Sequence, residues 1–178
     1  LESSNKYIKK SFEKALELLK TNKNLQLING PIIKKSFLGR RHLGITEYLG
    51  LKYNTLNKVV MLIYNKNISV SPLTTHIPLK NVHKIISKNR IINHVKKIHN
   101  FYKKRFNKNP TFGITSLNPH CETNSKIDED FSIIKPAINY LSRKKYKISG
   151  PYSADTIFLK NNIKKFDVII GMYHDQVL

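Results

Sequence analysis

Residues 167–176 read DVIIGMYHDQ, an apolar, β-branched run that passes directly into polar residues. The run from Asp167 to Met172 predicts a buried strand, and the letters that follow it predict a polar loop at its carboxyl end. In open α/β sheets, ligands collect outside the carboxyl ends of the strands. This short stretch therefore indicates both a fold class and the place where a site is expected.

Two earlier segments repeat this pattern. Thr111–Leu117 is followed by the letters NPH at 118–120, and Leu25–Ile28 is followed by NGP at 29–31. We expect these two strands and the strand at 167–172 to end on the same side of one sheet.

Amphipathic helices alternate with these strands. Ile91–Phe106 is the strongest, with apolar residues near one face and Lys or Arg on the other, and this places His94 on the exposed face. The remaining predicted elements are helices at 6–20, 46–51, 82–86, 128–141 and 154–159, and strands at 59–64, 68–73 and 146–149. Thr46 is a possible cap for its helix, and Pro136 predicts a kink or a late helix start. The alternation is typical of an α/β fold.

Composition excludes several classes of protein. The formal net charge is +21, from 32 Lys and Arg against 11 Asp and Glu, but the charges are scattered, with no basic-aromatic repeat. No apolar run approaches the roughly 18 residues that a membrane span needs. A single cysteine, Cys121, excludes a disulfide framework and a Cys-rich zinc site. We expect a cytoplasmic protein that binds neither nucleic acid nor membranes.

Three of the seven histidines stand where a strand gives way to a loop: His76, His120 and His174. Three neutral imidazoles suit Zn²⁺ or another borderline divalent metal. Their wide separation in sequence matches no compact metal motif, so solvated loop histidines remain the alternative. The other four, at 42, 83, 94 and 99, are expected to be solvated or capping residues.

Six short motifs occur in an order and spacing that resemble the 4-hydroxythreonine-4-phosphate dehydrogenase family. The motifs are GPIIK at 30–34, GITEYL at 44–49, TTHIPL at 74–79, LNPH at 117–120, GPYSADT at 150–156 and MYHDQ at 172–176. The resemblance implies an α/β, isocitrate/isopropylmalate dehydrogenase-like three-layer α/β/α fold, incomplete at both ends. Residues 1–178 would be the central portion of a longer dehydrogenase, without an evident internal boundary and inactive alone.

The resemblance also implies an activity. The family oxidises 4-phosphohydroxy-L-threonine with NAD or NADP to 2-amino-3-oxo-4-phosphooxybutanoate, which decarboxylates to 3-amino-2-oxopropyl phosphate in vitamin B6 synthesis. By resemblance, His76, His120 and His174 bind a divalent metal (Zn²⁺, Mg²⁺ or Co²⁺), and a homodimer shares the metal site across its interface. The residues that bind NAD or NADP are not indicated.

Four further residues take roles from the resemblance. Asp155 and Lys34 are candidate catalytic residues, although a helix N-terminal acid and a plain surface lysine are the simpler interpretations. Thr46 and Ile45 match substrate-contacting positions. Ile45 stands where the family motif has histidine, which removes a hydrogen-bonding group from the expected substrate contact.

Two alternatives stay open. Ile45 is compatible with a related metal-dependent β-decarboxylating dehydrogenase that acts on another phosphorylated or carboxylated hydroxy acid. A non-catalytic basic binding module would instead scatter the histidines at 76, 120 and 174 in space and align the lysines in one stripe. The positions of these three histidines therefore discriminate between an enzyme and a binding module.

Replacing Ile45 with histidine in a full-length protein should tighten substrate binding. A hydrogen bond to a charged group contributes roughly 1.5–3 kcal/mol, which isoleucine cannot supply. The measurement is the KM for the phosphorylated substrate. An unchanged or higher KM would show that position 45 is not a contact or that its loss is compensated elsewhere.

Overall fold

The computed structural model describes residues 2–33, 37–38, 44–55, 59–121 and 128–178. The chain forms two compact units, Leu1–Val59 and Val60–Leu178, which are described separately. None of the described helices has the length and apolar character needed to cross a lipid bilayer.

The first unit contains two helices, α1 (Glu2–Thr21) and α2 (Ile45–Lys52). Its small core is formed by Phe12, Leu38 and Tyr48, with Phe37 packed against them. The Phe12 ring stacks on Phe37 with centroids 5.5 Å apart and meets Tyr48 edge-on at 5.7 Å. Aromatic pairs in this geometry add to the stabilisation that burial supplies, so they fix α1 to the residues around α2.

Two predictions in this unit are wrong. Leu25–Ile28 is not a strand, and Ile28 is 92% exposed. A strand requires a hydrogen-bonded neighbour, and none of the described residues pairs with this segment. Thr46 is not the cap of α2 either: the helix begins at Ile45, the N-cap is Gly44, and no side chain caps it.

The second unit is built on a four-stranded parallel sheet. The strands are β1 (Ser69–Pro72), β2 (Phe112–Thr115), β3 (Ile148–Tyr152) and β4 (Val168–Gly171), in the spatial order β1-β4-β2-β3. Every pairing is parallel. All four strands therefore end at the same edge of the sheet, here called the carboxyl edge. This confirms the predicted common side for the strands at 111–117 and 167–172.

Helices cover both faces of this sheet. On one face lie α3 (Val82–Ile85), α4 (Lys88–Phe106) and α5 (Lys135–Arg143), and on the other α6 (Ala154–Ile157) and α7 (Lys160–Ile163). Alternate residues of β4 point to opposite faces of the sheet: Val168 and Ile170 pack in the core under α4, and Ile169 packs in the core under α6. The predicted three-layer α/β/α arrangement is confirmed.

Two other elements differ from the sequence prediction. Val59–Tyr64 is not a full strand: it forms one antiparallel bridge to β1, between Ile63 and Val70, and its Met61 carbonyl accepts from the Ser71 hydroxyl. The helix predicted at 128–141 starts as a π-helix, Asp130–Ile134, and becomes α-helical at Lys135. Pro136 is thus in the first turn of α5, where a missing N–H costs little. The helix therefore does not start late: helical backbone begins at Asp130, and Pro136 lies just after the change from π-helix to α-helix.

His94 is buried, not exposed: it retains 7% of its surface and lies between α4 and β1. The Ser71 hydroxyl donates to the Met61 carbonyl, so it accepts from His94 Nε2–H at 2.7 Å. Burial, with the charges of Lys97 and Arg90, lowers the pKa of His94 to about 3. The imidazole is therefore neutral in the folded protein.

Acidification should destabilise the protein through His94. The unfolded pKa is near 6.5 and the folded pKa is about 3, so the stability from a neutral His94 is complete above about pH 6.5 and is lost as the pH falls. Between about pH 7 and pH 5 this effect lowers the free energy of unfolding by about 2 kcal/mol. In urea titrations, the free energy of unfolding of the His94→Phe variant should fall by about 2 kcal/mol less than that of wild type over this pH interval.

The matched control for this prediction is the same substitution at His83, which is exposed on α3. His83→Phe should keep the wild-type dependence of the unfolding free energy on pH. Equal pH dependence in His94→Phe and wild type would contradict the assignment of a buried neutral imidazole.

Candidate functional site

The carboxyl edge gathers the sequence-predicted site residues of the second unit. His76 follows β1, His174 follows β4, His120 follows β2 and Asp155 follows β3. Their spatial order along the edge is therefore 76, 174, 120, 155. Neighbouring strands lie about 4.8 Å apart, so the strands that lead to the three histidines lie within about 10 Å of one another.

The three histidine side chains are exposed at this edge. Across the described ranges, no three His, Cys, Asp or Glu side chains are placed to hold one metal ion. His174 does carry the arrangement of a metal ligand, because its Nδ1 lies 2.8 Å from Asp175 Oδ1. A carboxylate only accepts, so Nδ1 is the donor in this contact, which leaves Nε2 as the ring atom that would bind a metal. The donor chemistry of these residues fits a borderline divalent metal.

Buried and half-buried polar side chains tie the strand ends together beneath the histidines. Thr74 Oγ1 donates to the Met172 carbonyl at 2.7 Å, and the Met172 amide donates to Gln176 Oε1 at 2.7 Å. Gln176 Oε1 also accepts from Thr115 Oγ1 at 2.9 Å, and its Nε2 donates to the Ser116 carbonyl at 2.8 Å. One chain of hydrogen bonds thus runs across the ends of β1, β4 and β2.

The side chain of Asp130 also holds the loop that follows β2. Its carboxylate is 1% exposed and accepts from the Leu117 amide at 2.6 Å, the Asn118 amide at 3.2 Å and Asn118 Nδ2 at 2.9 Å. Three donors compensate the desolvation of the buried carboxylate. The turn that presents His120 is therefore fixed at its base.

Sequence reasoning missed these holding residues. Thr74 and Gln176 each lie two residues from a predicted ligand, within the same motifs, and that proximity was a usable signal. Asp130 lies within the helix predicted at 128–141. Its contact with Leu117 and Asn118 depends on the fold, and no local pattern indicates it.

Two residues of the edge loops adopt left-handed backbone conformations. His76 has φ 54° and Cys121, next to His120, has φ 57°. Such conformations are uncommon for residues other than glycine and are held only where the surroundings determine them. Burial raises the pKa of the Cys121 thiol, which disfavours the reactive thiolate.

Asp155 is exposed in the first turn of α6. The cap of this helix is Ser153, whose Oγ accepts from the Asp155 amide at 3.3 Å. Because Ser153 already caps the helix, the Asp155 carboxylate is not needed for that purpose and faces solvent at the carboxyl edge.

The remaining candidates belong to the first unit. Ile45 is half-buried and packs on the cluster of Phe12, Leu38 and Tyr48, while Thr46 is exposed. Both line an open groove on the surface of that unit. Lys34 lies outside the described residues.

These features define a class: an α/β protein with a parallel sheet, whose carboxyl edge carries histidines suited to a divalent metal. The profile of the family described as "Pyridoxal phosphate biosynthetic protein PdxA" matches residues 2–178. The chain belongs to this family.

Curated relatives and solved structures agree. The chain is 38% identical over 156 residues to the 4-hydroxythreonine-4-phosphate dehydrogenase of Sulfurihydrogenibium sp. (strain YO3AOP1), covering 85% of this chain and 48% of the relative. It is 39% identical over 158 residues to the 4-hydroxythreonine-4-phosphate dehydrogenase of Wigglesworthia glossinidia brevipalpis, and the match covers 85% of this chain and 47% of the relative. The chain thus spans about half the length of the curated relatives it matches.

The solved Klebsiella pneumoniae 4-hydroxythreonine-4-phosphate dehydrogenase matches with a TM-score of 0.69 and 26% identity, over 83% of this chain and 46% of that one. A terephthalate 1,2-cis-dihydrodiol dehydrogenase from Burkholderia xenovorans LB400 matches with a TM-score of 0.64 over 80% of this chain and 46% of that one. At 19% identity, the second similarity shows the fold alone.

Gly171 controls how closely the turn carrying His174 approaches the end of β4. A Cβ at this position would meet Val177 Cγ1 at 2.6 Å, Gln176 Cβ at 3.3 Å and the Tyr173 carbonyl at 3.3 Å. Gly171→Ala should therefore lower the free energy of unfolding by about 1–3 kcal/mol, the usual cost of overpacking. Urea denaturation measures the change.

Gly30→Ala is the matched control, because a Cβ there meets nothing within 4 Å. It should change the free energy of unfolding by less than about 0.5 kcal/mol. Wild-type stability in Gly171→Ala would show that the turn over β4 is looser than these contacts indicate.

Proposed function

We propose that this chain carries the metal-binding half of a 4-hydroxythreonine-4-phosphate dehydrogenase. The proposed reaction is the oxidation of 4-phosphohydroxy-L-threonine to 2-amino-3-oxo-4-phosphooxybutanoate with NAD or NADP, followed by decarboxylation to 3-amino-2-oxopropyl phosphate. The supporting observation is the placement of His76, His174 and His120 on three adjacent parallel strand ends in a member of the PdxA family. A cytoplasmic location, suggested by the single cysteine, is part of the proposal.

The three histidines are the proposed ligands of the divalent ion, which would be Zn²⁺, Mg²⁺ or Co²⁺. When bound, the metal would stabilise negative charge on the substrate hydroxyl oxygen and NAD or NADP would accept the hydride. No set of three such ligands lies together among the described residues of one chain, so we propose that a homodimer completes the site.

Other residues of this chain would bind and orient the substrate. Thr46 and Ile45 are the proposed contacts to the phosphorylated substrate, and Lys34 is a candidate for binding its phosphate or carboxylate. Asp155 is exposed at the same sheet edge as the histidines, where its carboxylate can contact the substrate or take a proton.

A related β-decarboxylating dehydrogenase with another hydroxy-acid substrate is the second candidate, favoured only by Ile45. An isoleucine at this position packs on apolar residues instead of offering a hydrogen bond to substrate. Comparing kcat/KM for 4-phosphohydroxy-L-threonine with that for other phosphorylated or carboxylated hydroxy acids distinguishes the two.

The activity can be tested in a chimera in which this chain replaces the matching segment of the Wigglesworthia glossinidia brevipalpis relative. The chimera should reduce NAD or NADP in the presence of substrate and divalent metal. His120→Ala should lower its turnover by more than about 100-fold, since even residues that only support metal ligands are worth 10–100-fold. Its thermal stability should change little, because His120 is exposed.

His99→Ala is the matched control. His99 is on α4 and touches Tyr146, which precedes β3, so it is at the opposite edge of the sheet. This variant should keep its metal content and turnover. A His120→Ala chimera with full metal content and normal turnover would refute the proposed site.

A further inference from the structure

The side chain of Gln176 makes hydrogen bonds to the ends of two strands. Its Oε1 accepts from the Met172 amide at 2.7 Å and from Thr115 Oγ1 at 2.9 Å, and its Nε2 donates to the Ser116 carbonyl at 2.8 Å. One amide side chain therefore binds the end of β4 and the end of β2 at once. Gln176 closes the short 3-10 turn that begins at His174.

The contacts continue from Ser116 to the turn that carries His120. Ser116 Oγ donates to the Asn118 carbonyl, and the same carbonyl accepts from the Cys121 amide at 3.4 Å. Residues 118–121 are thus closed into a turn with His120 inside it. Gln176 is the side chain that joins this turn to the one that carries His174.

We infer that Gln176 is a positioning residue that fixes the His174 turn relative to the His120 turn. Its relevance to metal binding rests on the proposed function, but the geometric coupling does not. A metal ion requires its ligands at fixed distances, and residues that hold the ligands are worth a large part of the affinity. Gln176 is not one of the proposed ligands, and its role would act through the two backbone segments that it joins.

Hydrogen–deuterium exchange on this chain without metal tests the coupling. The Leu117 and Asn118 amides donate to Asp130 and not to Gln176. If Gln176 fixes the His120 turn, Gln176→Met should accelerate exchange at these two amides on the order of 10-fold, the effect of losing about one hydrogen bond. The Phe112 amide, which donates to the Lys147 carbonyl at the other end of β2, should keep its wild-type rate.

Two outcomes would overturn the inference. Unchanged exchange at Leu117 and Asn118 would mean that Gln176 does not reach the His120 turn. An equal acceleration at Phe112 would mean that Gln176 supports the sheet generally and positions nothing. Gln26→Met, at the chain's other glutamine, which is exposed, is the matched control and should leave all three rates unchanged.

Gln176→Glu keeps the inference testable if the methionine variant does not fold. The glutamate retains an oxygen for the Met172 amide and for Thr115, but it loses the donor to the Ser116 carbonyl. It should fold and still accelerate exchange at Leu117 and Asn118. Wild-type rates at both amides in a folded Gln176→Glu variant would also refute the inference.

Metal affinity separates this inference from the proposed function. In the chimera, Gln176→Met should raise the Zn²⁺ Kd roughly 10–100-fold, measured by equilibrium dialysis of the folded protein. If the chimera binds Zn²⁺ through His120 and Gln176→Met leaves the Kd unchanged, the positioning role fails and the proposed function stands. If the unsubstituted chimera binds no divalent metal, the proposed function fails, and the exchange rates still decide the coupling.

Discussion

The parallel pairing of β4 is the constraint on which the second unit depends. β4 lies between β1 and β2 and is in register with both, through Ser69–Val168 on one side and Phe112–Val168 on the other. Val168, Ile169 and Ile170 are fully buried, and their alternating side chains enter the cores on both faces. Because parallel strands share a direction, this pairing also determines that the loops of β1, β4 and β2 leave at one edge.

The edge of a sheet positions the starts of the loops but not their tips. The loops that carry the exposed histidines therefore depend on side chains beneath them that hydrogen-bond their backbone. Thr74, Gln176 and Asp130 supply these, each binding backbone groups of a neighbouring segment with a buried or half-buried side chain. Polar groups in such surroundings cost little only when they are fully hydrogen-bonded, which favours a single arrangement. The imidazoles that are proposed as ligands can then be exposed while hydrogen bonds hold the backbone that carries them.

The sequence was sufficient for elements whose evidence is local. The β-branched runs of β2 and β4 and the apolar stripe of α4 were all found near their observed bounds. The strand prediction at Leu25–Ile28 is wrong because an apolar run does not reveal whether a partner strand exists. The exposure predicted for His94 is wrong for another reason: at about 100° per residue it lies about 80° from the centre of the stripe, at the margin of the buried face, where the stripe alone does not decide whether a polar residue is buried. The histidine positions could be predicted from motifs, while the contacts that hold their loops come from residues far apart in sequence.

The buried polar pairs under β1 connect this fold to the site. β1 is an outer strand with a full ladder only to β4, and a single bridge contacts its other side. Two serines of β1 face α4 instead, where Ser69 accepts from the Tyr102 hydroxyl at 2.8 Å and Ser71 accepts from His94. Burial disfavours the charged ring and lowers the pKa of His94 to about 3, so His94 makes this contact as a neutral imidazole. The strand that leads to His76 is thus tied to α4 by hydrogen bonds, which compensates for the missing second ladder.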